Sequence, residues 1–583
     1  MLKQVKIKCI ISGKSIAPYV VPKKINIYNI ENKTNVIIEI ESNSDSLLKF
    51  IDVSFIRIKG IIANILNIQY DFTYEIIETV NIERIFISKQ DDKDLIPIAF
   101  YIGDGLQVNT LYELTGYETS NPINQTLTFV FTKAIKCKTD LEKFTLKNNE
   151  YNELSKFNIN KNTVEDVYKY LEQLYTSYAY NITKIYNRFD LHLAIDLVFK
   201  SALSFNFDNS YINKGWGDMI VIGDTSCGKG EVARKLLNFF NVGEFITADN
   251  CSYAGLIAGV QQLDKNWTIT WGKIPMNNKG LVVIDEASEL KHEDWTKLTS
   301  IRSDGEAIVT KIKTQVVDAK TRLIFIANPI NKLIRNYSYG IQAINELVKS
   351  PEDIRRFDYV LIIANNEVLM NDINKHYNQD IKLLYTKELE QKLITWIWSR
   401  SANEIVFSPE AIKCIYNLSN IIAKMYTPEI PLVQGENIRI KLAKIAVSFA
   451  GRLFSNKKKG EILYVDSLHV ECAYYFLNLI YKKNTSGYFA LSKVKNNLDD
   501  ILSDEVIKII TRYFNAFRNQ KDLMQCLMQN NNITIVDISE HMNQQKEISR
   551  EIISKLLKYN CIIKKYTYYV KTPAFINWLK QQI

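Results

Sequence analysis

No two of the eight cysteines stand at CxxC spacing, which speaks against a zinc ribbon. Cys9, Cys137, Cys227, Cys251, Cys414, Cys472, Cys526 and Cys561 are scattered through 583 residues. That scatter fits reduced thiols in a cytoplasm rather than a disulfide framework. No run of about 18 apolar residues occurs, so no membrane span is expected. The opening stretch MLKQVKIKCIISGK lacks the apolar core of a signal peptide. Internal repeats and low-complexity tracts are also missing. These absences predict a cytoplasmic chain with no membrane partner. What is present is ordinary for globular protein: 46% hydrophobic and 23% charged residues, with a net charge of +9. The length suggests about three to five domains. The mild positive charge suits nucleic acid, but also a neutral partner.

Along the chain, β patterns come first. Residues 35–41 (NVIIEIE), 55–59 (FIRIK) and 84–89 (RIFISK) alternate or run in β-branched residues and predict strands. Residues 96–137 read as strand, turn, strand, turn, strand. Residues 1–140 are therefore expected to form a β-rich domain, either a small closed barrel such as an OB-fold or a small β-sandwich. Residues 141–200 read as a helical connector. Residues 201–384 alternate strand and helix, as an α/β domain should. Residues 385–485 are expected to be helical, with Ser408 and Pro409 at a helix start. Residues 486–510 read as linker, signalled by KNTSGY at 483–488 and KVKNNLDD at 493–500. Residues 511–583 form a last small module.

The chemistry sits in the α/β part. The apolar run Met219–Ile222 is followed by Gly223-Asp224-Thr225-Ser226-Cys227-Gly228-Lys229-Gly230 and an amphipathic stretch from Glu231. Strand, glycine-containing loop and helix start are the context in which backbone N–H groups cradle phosphates and a lysine reaches the outer ones. These nine residues are the expected ATP contacts. The usual Ser or Thr after the lysine is replaced by Gly230, so a hydroxyl that ordinarily ligates Mg²⁺ is missing. A second apolar run, 281–284, ends at Asp285 and Glu286. A buried strand would deliver them to its C-terminal edge, Asp285 to hold Mg²⁺ and Glu286 to polarise water. A third run, 323–327, ends at Asn328, suited to orient that water. Arg356, within IRRFD, could neutralise phosphate charge from a neighbouring subunit.

These elements, in this order, resemble the AAA+ superfamily. The stretch from Cys251 (CSYAGLIAGV), then NWTITWGKIPMNNKGLVVIDE, then Arg356-Phe357-Asp358, resemble the minichromosome-maintenance (MCM) helicases over about 185–365. The resemblance implies a multidomain α/β architecture: an N-terminal OB-like β-barrel, a central AAA+ P-loop ATPase with a helical lid, and a C-terminal winged helix. It implies a ring-forming, ATP-dependent DNA helicase, with ATP and Mg²⁺ bound between subunits of a homohexamer. Its partners would be single-stranded and duplex DNA and other replication proteins. Lys311 in IVTKIK resembles a pore-hairpin lysine, with Lys313 and Lys273 as further phosphate contacts. The lid should carry a second sensing arginine; Arg439 is the first choice, with Lys441 and Gln434 as alternatives. In the winged-helix reading, 545–560 is the recognition helix and 561–572 the wing. Arg550, Lys555, Lys558, Lys564 and Lys565 would face DNA, although a protein-docking module fits the same pattern. The architecture is also similar to self-loading helicases of Gram-positive mobile elements, such as staphylococcal cassette chromosomes and pathogenicity islands.

Two further readings stay open, and Gly230 supports the second. One is a protein-remodelling AAA+ ATPase. The other is an origin-binding initiator that uses ATP to assemble without hydrolysing it. Mg²⁺ retains waters readily, so one more could fill the missing hydroxyl's place. Lys229 and Glu286 are intact, which favours a working site.

Overall fold

The computed structural model describes residues 3–41, 45–51, 55–89, 95–120, 125–158, 162–263, 266–365, 367–368, 381–435, 437–500, 504–530, 532–559, 561–565 and 568–582. Seven strands build the N-terminal part: β1 (Gln4–Ser15), β2 (Tyr19–Asn29), β3 (Thr34–Glu39), β4 (Phe72–Lys89), β5 (Leu95–Ile102), β6 (Leu111–Ser120) and β7 (Leu127–Lys136). Alternation of buried and exposed side chains orders them; in β2, Val21, Ile25 and Ile27 are buried while Val20 is exposed. β1 pairs with β6, β6 with β7, β7 with β5, β5 with β4, and β4 returns to β1. β2 and β3 extend the sheet beyond β4.

The stretch at 55–59 is not a strand. Phe55–Leu66 is a helix, because the apolar residues continue as Ile61, Ile62 and Ile65, a helical spacing invisible in five residues. Helices fill much of 140–200, including Val164–Tyr178, capped by Thr163, and Phe189–Phe199.

Next come a short hairpin, β8 (Phe205–Phe207) and β9 (Ser210–Ile212), and then the strands of the α/β part. These are β10 (Asp218–Gly223), β11 (Glu244–Thr247), the hairpin β12 (Ala258–Leu263) and β13 (Asn266–Trp271), and β14 (Leu281–Asp285). They are followed by β15 (Glu306–Val309) and β16 (Gln315–Asp318), a second hairpin, then β17 (Arg322–Ala327) and β18 (Tyr359–Ile363). Five strands make a parallel sheet in the order β11-β14-β17-β10-β18. Every residue of β10, β17 and β18 is buried, which explains their continuous apolar runs.

The β12–β13 hairpin leaves this sheet and joins the N-terminal one. β13 pairs antiparallel with β1 through Gly13–Thr270, Lys14–Ile269 and Ser15–Thr268. Ile16 N donates to Trp267 O at 2.8 Å, and Asn266 Nδ2 to Ala17 O at 2.8 Å. Gly13 permits the approach, since a Cβ there would lie 2.4 Å from Ile269 O.

Residues 387–481 carry four helices, Lys387–Trp398, Pro409–Met425, Ile438–Arg452 and Ser467–Tyr481. Ser408 Oγ accepts from Ala411 N and starts the second, as expected. A small sheet, β19 (Ile405–Phe407), β20 (Asn456–Lys457) and β21 (Ile462–Val465), accompanies them. A buried ionic knot joins the helices to the α/β part. Arg452 donates from both terminal nitrogens to Glu390 at 2.7 Å, Lys200 lies 3.2 Å from Glu390, and Tyr178 Oη donates at 2.6 Å.

The stretch read as linker contains helices. Tyr488–Asp500 is helical and Asp504–Asn515 a second helix. Asn496, Asn497, Asp499 and Asp500 are weak helix formers and resembled a linker, but Tyr488 and Leu491 are buried, and tertiary packing overrides propensity. The last module runs through helix Gln520–Gln529, β22 (Asn532–Ile533), helices Ile535–Met542 and Lys546–Lys558, β23 (Ile562–Lys565), β24 (Tyr568–Lys571) and helix Pro573–Gln582. Its strands are ordered β22-β24-β23, and it has its own apolar core, including Phe514, Leu527, Ile552 and Phe575.

Candidate functional site

The strand β10 ends at Gly223, and helix Lys229–Phe240 begins six residues later. The loop between them needs left-handed backbone at Ser226 (φ 62°) and Gly228 (φ 76°). A Cβ on Gly228 would also press on Ile185 at 2.9 Å. The helix stays in place by burying Val232, Ala233, Leu236, Leu237 and Phe240 on one face. The result is a cavity of about 300 Å³ at the C-terminal edge of the parallel sheet.

Seven of the nine expected ATP contacts line it: Thr225, Ser226, Cys227, Gly228, Lys229, Gly230 and Glu231. Gly223 and Asp224 do not. Their carbonyls accept from Lys229 Nζ at 2.8 and 2.6 Å. The buried Asp224 carboxylate accepts from Ile334 N at 2.8 Å and Asn365 N at 3.1 Å. It is a positioning residue, tying the loop to the segments after β17 and β18. Nothing in the spacing of the loop motif announced that role.

Asp285, Glu286 and Asn328 line the same cavity. Asn328 bridges two partners, accepting from Lys229 Nζ at 3.0 Å and donating Nδ2 to Glu286 Oε2 at 3.1 Å. Asp285 Oδ1 accepts from Glu286 N at 3.0 Å. Burial raises the Glu286 carboxyl above its usual range, the Asp285 charge adds to this, and Lys229 opposes it. Burial lowers Lys229, while nearby acids oppose that fall. Three sequence-distant runs thus converge on one cluster of cation, amide and carboxylates. The donor set suits a triphosphate with a hard divalent cation: backbone N–H groups and Lys229 for the anion, carboxylate oxygen for the metal.

Arg356 lies elsewhere. It pairs with Asp353 at 3.0 Å and lines a separate cavity of about 400 Å³. Lys214, Arg302, Arg355, Lys441 and Lys444 share that cavity. Asp358 accepts from Lys444 at 2.5 Å, and its Oδ2 from Asp218 N at 2.9 Å, anchoring the segment after Arg356 to β10. Lys441 Nζ donates to Leu432 O at 2.6 Å, and burial pushes its ammonium down to about 7. Arg439 is exposed and sits 6.0 Å from the Tyr416 ring, lining neither cavity. Lys441 and Lys444, both on helix Ile438–Arg452, line the cavity that holds Arg356, and Arg439 does not.

Lys311 and Lys313 are exposed at the tip of the β15–β16 hairpin, Lys311 being 6.0 Å from the Trp267 ring of β13. Lys273 is held by Glu244 at 2.6 Å. Its side chain stays about half exposed beside that carboxylate. In the last module Arg550, Lys558 and Lys564 are exposed, and Lys555 Nζ lies 3.8 Å from the Tyr513 ring. Lys565 falls on β23, and its side chain lies outside the described residues.

Residues 160–377 match the family model described as the MCM P-loop domain. The chain is 23% identical over 185 residues to DNA replication licensing factor mcm2 of Schizosaccharomyces pombe, covering 31% of this chain and 22% of that protein. It is 22% identical over 184 residues to DNA replication licensing factor MCM3 homolog 1 of Zea mays, covering 31% and 24%. It is 22% identical over 202 residues to mcm2 of Xenopus tropicalis, covering 33% and 22%. The chain thus spans less than a quarter of the length of these relatives. Lys229, Asp285, Glu286, Asn328 and Arg356 all fall inside the matched residues; Arg439, Lys441 and the last module fall outside. Among the described residues no helix is long and apolar enough to cross a membrane.

Proposed function

We propose that this chain is an ATP-hydrolysing DNA motor of the MCM type, acting as a replicative helicase. The observation that carries the reading is Asn328, which bridges Lys229 and Glu286 across the nucleotide cavity. A site used only to assemble around ATP needs the lysine; it does not need a carboxylate placed to take a proton from water. In this reading backbone N–H groups and Lys229 hold the phosphates, Asn328 orients water, and Glu286 accepts its proton. A bound divalent cation would offset phosphate charge, with Asp285 holding it.

Arg356 and the nucleotide cavity are separate within one chain, so the reading requires a second copy. Arg356 and Lys441 of one copy would face the phosphates of the next, in a ring for which a hexamer is proposed. The N-terminal pairing cycle of five strands supports an OB-like barrel binding single strands. Order and pairing in the last module support a winged helix placing Lys546–Lys558 against duplex DNA. A cytoplasmic setting and a role in replicating a mobile element remain part of the same proposal. The test is phosphate release with and without single-stranded DNA. Wild type should show DNA-stimulated release, and Glu286→Gln should fall by about 10²–10⁴-fold. ATP binding without release in wild type would favour the initiator, and release indifferent to DNA the protein remodeller.

A further inference from the structure

Helix Asp504–Asn515 turns Ile510 and Phe514 into the core of the last module. Its other side leaves Lys508, Ile509 and Arg512 exposed, followed by Ala516. Lys508 and Arg512 stand one turn apart, so their side chains are neighbours. Lys555 reaches the same place from helix Lys546–Lys558, its Nζ 3.8 Å from the Tyr513 ring. Together these residues line an open cavity of about 380 Å³. Among the described residues no acid lines it, and none of the three cations is held in an ion pair. The outer ridge of helix Lys546–Lys558 differs. Ser549, Ile552, Ile553 and Leu556 are buried, and opposite them at helical spacing Glu547, Glu551, Ser554 and Lys558 are exposed. Two carboxylates stand there against one ammonium.

Resting on the duplex-DNA reading of the last module above, we infer that this module grips duplex DNA by its sugar–phosphate backbone, on the ledge of Lys508, Arg512 and Lys555, and does not read bases with the exposed ridge of helix Lys546–Lys558. A backbone strand alternates anionic phosphates with apolar sugar faces. The ledge answers both, setting three cations around Ile509, Tyr513 and Ala516. Glu547 and Glu551, by contrast, would meet the phosphates that flank a groove and be repelled. An acidic peptide would share the cations, but its apolar anchors need a wider groove than Ile509 and Ala516 provide. Contacts to phosphate carry no sequence code, so binding should be indifferent to sequence and steep in salt.

The experiment follows binding of the full chain to short fluorescein-labelled duplexes of several sequences by fluorescence anisotropy, over a range of salt and without nucleotide. Lys508→Ala, Arg512→Ala and Lys555→Ala should each weaken binding to every duplex alike, and each should lower the slope of log affinity against log salt by about 0.9. Lys508 and Arg512 are exposed, so their removal leaves the module's core untouched, and thermal melting checks this. Glu547→Gln and Ser554→Ala should leave binding indifferent to sequence. An unchanged slope in the Lys508→Ala, Arg512→Ala double variant, in a chain that still holds duplex, would overturn the inference and leave duplex binding standing. A sequence preference that Ser554→Ala or Lys558→Ala abolishes would overturn it too. Displacement of the duplex by poly-glutamate, charge for charge as well as by unlabelled duplex, would point to an acidic protein partner and do the same. No duplex binding by wild type would sink the duplex reading of the module itself, and this inference with it. A labelled single strand, measured alongside, reports separately on the N-terminal part.

Discussion

Glu286 concentrates the chemistry at the scale of single residues. Its carboxyl is held above the ordinary range by burial and by Asp285, against the pull of Lys229. Only the carboxylate can take a proton from water, so lowering the pH silences it. Because its value is raised, that loss begins at higher pH than for an ordinary glutamate, about 4.3. The pH profile of phosphate release should therefore show an acid limb with a midpoint above that value. A profile flat down to about pH 4.3 would count against Glu286 as the base. The residues of this cluster were legible because each closes an apolar run: Asp285 at the end of β14 with Glu286 next, Asn328 after β17. Asp224 as a tether was not, since it depends on backbone approach between distant segments.

The ionic knot of Glu390, Arg452 and Lys200 is the sharpest case at the scale of elements. It joins helix Lys387–Trp398, helix Ile438–Arg452 and the end of helix Phe189–Phe199, with every member fully buried. Burial alone would raise Glu390, yet Arg452 and Lys200 hold its carboxyl well below the usual carboxylate range. Glu390→Gln would leave the two buried cations to Asp196 alone, 3.0 Å from Lys200 and 3.8 Å from Arg452, and should cost about 3 kcal/mol, read as lost thermal or denaturant stability. The sign in pH follows from the depressed value. The Glu390 contribution is fully present above about pH 4.3, the unfolded value, and is lost as pH falls toward the folded one. The gap between wild type and Glu390→Gln should thus narrow in acid. Elements were legible where periodicity ran long enough: buried strands, helix Pro409–Met425, the terminal hairpin. They were illegible where the window was short, as at Phe55, or where residues of weak helix propensity such as Asn496 and Asn497 lie in a helix anchored by buried Tyr488 and Leu491.

The separation of Arg356 from the nucleotide cavity governs what can be tested at the scale of the whole molecule. Arg356→Ala should lower phosphate release by about 10³–10⁵-fold, and Lys229→Ala should remove nucleotide binding. Mixed together, the two inactive variants should recover part of the activity. An Arg356→Ala copy retains an intact cavity, and a Lys229→Ala copy can supply its arginine. No recovery, with mixed oligomers demonstrated, would mean that Arg356 does not act across copies. The pairing of β13 with β1 has a different kind of consequence. Strands from positions more than 250 residues apart share one hydrogen-bonded sheet, so the N-terminal part and the β12–β13 hairpin are a single mechanical piece. Cut apart near residue 138, each fragment would keep a raw edge: Gly13–Ser15 of β1 on one side, Thr268–Thr270 of β13 on the other. Such edges recruit whatever strand is nearest. The isolated N-terminal fragment should accordingly be stickier than its surface charge suggests, and the remedy is the hairpin supplied as a peptide.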